Sequence, residues 1–159
     1  MNDLGLISTQ LWELFRSGEV PEELSAGGAM RCPLDARRGI QLRFQPQPPR
    51  WLLGVDQSID TLDADQRARC HEALLRAAHT SRWTAQQVGA LDAQGRVSLV
   101  DCDFPGSPQQ AAALAAADPV EGRLGSLLQQ LGALCAVADM PAVNASAAVE
   151  NEVHSWVKA

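Results

Sequence analysis

Two carboxylates and a thiol stand together at Asp101-Cys102-Asp103. On an extended strand alternate side chains share a face, so Asp101 and Asp103 point one way and Cys102 the other. Carboxylates placed like this can hold a cation or act as general acid and base. The simpler reading is a solvent-facing strand edge. Cys32, Cys70, Cys102 and Cys135 are spread along the chain with no C-x-x-C pair. In a reducing compartment that reads as four partly buried thiols. His71, His79 and His154 lack metal-ligand spacing. His71 follows Cys70, but neighbours on a helix point about 100° apart and form no dyad. Gly27-Gly28 has no preceding strand, so it reads as loop and not as a phosphate cradle. The chain contains no G-x-S-x-G, H-E-x-x-H, Walker loop or G-x-G-x-x-G. The expectation is a protein without catalytic residues, metal or cofactor, and not an enzyme.

Composition narrows the partners. The 159 residues carry a net charge of −6 and a pI near 4.9, with 13 scattered basic residues. Nucleic-acid binding needs clustered Lys and Arg, so it is not expected. No apolar run approaches the roughly 20 residues that span a bilayer. The N-terminus has an early Asp3 and no basic region of a signal peptide. A cytoplasmic protein without membrane insertion is expected. Four Trp and three Phe with no Tyr leave room for an apolar surface that binds another polypeptide, or for a core that takes every ring.

The elements that position these residues follow from periodicity. Leu4, Ile7, Leu11, Leu14 and Phe15 form one stripe of a helix over residues 3–17, stopped near Gly18. Residues 19–28 read as loop. Residues 29–34 carry Pro33 and suit an edge strand. Ile40, Leu42 and Phe44 alternate with Gln41, Arg43 and Gln45, after which prolines should stop the strand. Trp51, Leu53 and Val55 share a face of a third strand, and Asp56 suggests that the other face is partly wet. Asp63 with Gln66 is a capping-box start for a helix over 64–79, with Cys70, Ala73, Leu74, Ala77 and Ala78 on its apolar face. Val88 to Phe104 reads as a hairpin turning at Asp92 to Gly95. Ser107-Pro108-Gln109-Gln110 starts another helix, Asp118-Pro119 interrupts it, and Leu124, Leu127, Leu128, Leu131 and Leu134 line a helix over 121–139. The expected fold is α+β: helix, three strands, helix, β-hairpin and C-terminal helices, with a twisted antiparallel sheet packed against the helices. Residues 1–140 make the domain. Residues 141–159 make a tail that is a short helix or mobile.

That order resembles the class I type III secretion chaperones, the Tir-chaperone or CesT-like family. The resemblance lies in the amphipathic first helix, the strands G-I-Q-L-R-F and W-L-L-G-V, and the block E-A-L-L-R-A-A-H followed by A-L-D-A-Q-G-R-V-S-L-V and Phe104-Pro105. The extra tail is similar to that of HpaB-type chaperones, which serve many effectors. The resemblance implies a cytoplasmic, non-enzymatic homodimer of a virulence-associated export system. Such a protein binds the N-terminal region of secreted effectors, keeps it extended, and delivers it to the type III secretion apparatus, where an export ATPase is a further partner. Carried onto this chain, the effector-binding candidates are Leu11, Phe15, Ile40, Leu42, Phe44, Trp51 and Leu53. The dimer candidates are Leu74, Ala77, Ala78, Val97 and Leu99. The alternative is a non-catalytic α+β adaptor for another protein partner.

Overall fold

Asp3 opens the first helix in the computed structural model, which describes residues 3–79, 87–91 and 94–137. Its carboxylate accepts a hydrogen bond from the Gly5 N–H at 2.9 Å, satisfying a donor that the first turn leaves unpaired. Helix α1 (Leu4–Ser17) ends at Gly18, whose φ of 68° lies in the left-handed region that only glycine enters freely. A short helix α2 (Glu22–Ser25) follows where a loop was expected, and it buries Leu24.

Strands β1 (Ala29–Pro33), β2 (Arg38–Pro46) and β3 (Pro49–Ser58) form an antiparallel meander. Proline does not stop β2 at Gln45. Pro46 sits opposite Pro49 as the last cross-strand partners before a two-residue turn, where no ladder N–H is required of either ring. Helix α3 (Ala64–His79) starts at the expected capping box. The Gln66 N–H donates to Asp63 Oδ1 at 2.8 Å, and the Asp63 N–H donates to Gln66 Oε1 at 3.0 Å. Strands β4 (Gln87–Leu91) and β5 (Arg96–Gly106) form the hairpin, with Gly95 at φ 74°. The turn residues Asp92 and Ala93 lie outside the described residues, as does the expected tail.

The sheet has five strands in the order β1-β2-β3-β5-β4, all neighbours antiparallel. Strand β5 therefore lies inside the sheet, with a register irregularity against β3 between Leu52 and Leu53.

Helix α4 (Pro108–Ala112) opens on a complete capping box between Ser107 and Gln110. The alanine run then leaves the helix after five residues, having little to bury. Helix α5 (Asp118–Ala136) begins at Asp118-Pro119 and is not interrupted there. In the first turn a proline's missing N–H costs no intrahelical bond, so the dipeptide is a start signal. Val120, Leu124, Leu127, Leu131 and Leu134 of α5 are buried against the face of the sheet that carries Ile40, Leu42, Trp51, Leu53, Val55, Val97 and Leu99. Among the described residues no helix covers the opposite face, and Val88 on it is 51% exposed.

Candidate functional site

The carboxylates that opened the sequence reading part company. Asp103 is exposed, but Asp101 is buried. Asp101 sits on the helix-covered face, opposite Leu53 in the register. Its Oδ1 accepts from the N–H groups of Asp103 (2.9 Å) and Phe104 (3.2 Å), and its Oδ2 accepts from Arg123 Nη1 at 3.0 Å. The Arg123 guanidinium also stands 5.2 Å from the Phe104 ring centre. The expected solvent-facing edge is thus corrected. Asp101 ties α5 to the irregular stretch of β5, and β5 is an inner strand.

Asp56 needs a second correction. Its face of the sheet is open, yet its side chain is 0% exposed. Arg31 spans it with two bonds, Nε to Oδ2 at 2.9 Å and Nη2 to Oδ1 at 2.7 Å, and Gln41 Nε2 adds a third at 2.8 Å. Burial pushes the carboxyl up, but the bonds from Arg31 and Gln41 outweigh it and hold Asp56 below its ordinary value. Gly39 makes this possible. A Cβ there would lie 2.5 Å from Arg31 Nη2, so the guanidinium lies flat across the glycine. Sequence reasoning missed the cluster because its members come from three strands and meet only through the register.

The effector-binding candidates are brought together, but as core. Trp51 is the hub, with Phe15 at a ring-centre distance of 5.3 Å and Phe44 edge-on at 5.3 Å. Leu11, Phe15, Ile40, Leu42, Trp51 and Leu53 are all buried, and only Phe44 is half-buried. Of the dimer candidates, Leu74, Ala77, Val97 and Leu99 are buried within the chain, and Ala78 is exposed. The same two elements carry different exposed apolar residues: Leu75 on α3 at 69%, and Val88 and Leu91 on β4 at 51% and 47%. A leucine on the Glu72–Arg76 side of α3 was the available signal, since a helix face reserved for water has no use for it.

Two strand edges complete the surface. Among the described residues, β1 pairs only with β2 and β4 only with β5. β1 is half-buried to exposed along its whole length.

The remaining groups are a thiol pair and two cavities. Cys70 on α3 and Cys135 on α5 are both buried, with Cys70 Sγ donating to the Cys135 carbonyl at 3.8 Å. One cavity of about 210 Å³ is lined by Arg37, Gln57, Leu62, Gly132, Cys135 and Ala136. Another of about 360 Å³ is lined by Asp35, Ala36, Arg37, Arg38 and Gln57. Burial and the Asp101 charge push the Cys102 thiol up, which disfavours the reactive thiolate. Among the described residues, no three His, Cys, Asp or Glu side chains group to hold a metal ion, and no helix is long and apolar enough to cross a membrane.

No family model matches the chain, and no curated protein does. Among solved structures it is similar to the crystal structure of the ExsC–ExsE complex, at 21% identity and a TM-score of 0.45 over 82% of this chain and 92% of that chain.

Proposed function

We propose that this chain is a class I type III secretion chaperone. It acts in the cytoplasm as a homodimer, binds the N-terminal region of secreted effectors in extended form, and hands it to the export apparatus without catalysis. The support is the sequence resemblance together with an element order that agrees with it. The observation that carries the reading is the sheet face that no helix covers among the described residues, with Val88 51% exposed on it. An extended effector segment can lay alternate side chains along such a face, which favours an extended client over a folded one. The dimer belongs to α3 and β4, through Leu75, Val88 and Leu91 in place of the buried residues on the same elements.

Light scattering at micromolar concentration should give twice the chain mass. Co-expression with an effector's first hundred or so residues should recover a stable complex, and deletion should stop that effector's secretion. A strictly monomeric protein that retains no effector segment sinks the proposal.

A further inference from the structure

A close contact between chemically reactive side chains that the chaperone reading leaves unused joins α3 to α5. The two thiols at this contact share a hydrogen bond, and Cys70 Sγ also lies 3.8 Å from the Cys135 carbonyl oxygen. Cys135 forms part of the wall of the cavity of about 210 Å³, with Arg37 and Gln57. Cys70 does not line it. Cys135 therefore stands nearer the cavity, with Cys70 behind it.

We propose that Cys70 and Cys135 are a peroxide-sensitive pair that closes to an intrachain disulfide and staples α3 to α5. The Cys135 sulphur attacks hydrogen peroxide, breaking the O–O bond to give Cys135 sulfenic acid and one water. The Cys70 sulphur then attacks the sulfenic sulphur, forming the S–S bond. The sulfenic hydroxyl leaves with the Cys70 proton as a second water. Two thiols are oxidised by two electrons and one peroxide is reduced to two waters.

The hydrogen bond with Cys70 and the burial of Cys135 both push that thiol up, while the positive Arg37 favours its thiolate. The thiol is thus mostly protonated at neutral pH, and the first step is slow. The second step joins groups already in contact, so it has the advantage of proximity and follows quickly. Sulfenic acid should not accumulate while Cys70 is present. A cross-link across 65 positions also removes much freedom from the unfolded chain.

The test uses the full-length chain carrying Cys32→Ser and Cys102→Ser, so that the half-buried thiols do not compete. After hours in hydrogen peroxide, peptide mapping should find residues 70 and 135 joined within one chain. The joined peptides should lack two hydrogens and be restored by dithiothreitol. The melting temperature should rise by several degrees on oxidation. Dimedone should leave Cys135 unlabelled in this variant and label it when Cys70→Ser is added. Retention of both thiols, sulfinic acid at Cys135 without the cross-link, or dimedone on Cys135 with Cys70 intact each overturns the proposal. If the triple variant does not fold, the mapping of the double variant decides alone.

Discussion

Arg31 and Asp56 set the energetic stakes at the residue scale. Removing one partner of a buried pair leaves an uncompensated charge and costs about 3–5 kcal/mol where both are fully enclosed. The Arg31 side chain is 31% exposed, so Arg31→Ala should cost about 2–3 kcal/mol by urea unfolding, after discounting for solvent. Gly39→Ala should reproduce part of that loss, because its Cβ displaces the same guanidinium. The pH dependence has a definite sign. Asp56 is held below its ordinary value in the folded chain. Its contribution is therefore fully present above the unfolded carboxyl value near 3.9 and is lost as pH falls through the lowered folded value. Wild type should lose stability in that acid window, and Arg31→Ala should lose less there, its Asp56 keeping only the Gln41 bond against the upward push of burial. Equal acid sensitivity of the two proteins would count against this account.

Helix α5 shows at the element scale how a weak helix is made to exist. Gly122, Gly125 and Gly132 each cost roughly 1 kcal/mol relative to Ala, and the helix interior has nothing intrinsic to offset them. Its stripe of buried leucines offsets them only through the sheet. Leu127 is 0% exposed, and Leu127→Ala should cost about 2–5 kcal/mol in chemical denaturation. At helix α3 the capping box is solvent-exposed and worth less, so Asp63→Ala should cost about 1 kcal/mol. These boundaries were legible because capping, proline at the first turn and apolar spacing are local signals. The exception is instructive. Asp118-Pro119 reads as a break when the preceding alanines are assumed helical, and as a start once they are not, a choice that packing makes.

At the scale of the whole molecule, the proposed function puts binding on the open sheet face and the dimer on the α3–β4 side. Leu75 and Val88 are largely exposed on the elements assigned to the dimer. Replacing both by Asp should convert the dimer to a monomer in sedimentation velocity while leaving the far-ultraviolet circular dichroism unchanged, because neither side chain belongs to the core. A dimer that survives the double substitution would move the interface elsewhere. The residues expected to bind an effector behave differently. Substituting Trp51 or Phe15 tests folding first, since these rings form the core contact with Phe44. Binding is better tested on the uncovered sheet face, where Arg43→Glu reverses a charge that is exposed in the chain alone. Loss of effector capture with the melting temperature little changed is the expected result.

The amino-acid sequence by itself determined the class of fold, because periods of two and of about 3.6 residues and the turn and cap residues act within a few positions. It also determined the order of the elements apart from the short α2, and the apolar stripes of α1 and α5. Only the tertiary structure decided which residues in those stripes are surface. Leu42 and Phe44 alternate identically in sequence, yet one is buried and the other half-buried, and no local signal separates them. The same holds for charge. Asp56 and Asp101 look like wet strand residues until the register places Arg31 and Gln41 against the first, and the packing of α5 places Arg123 against the second. The acids that first suggested chemistry belong to the framework. The contact between Cys70 and Cys135, 65 positions apart in the chain, was invisible until α3 met α5.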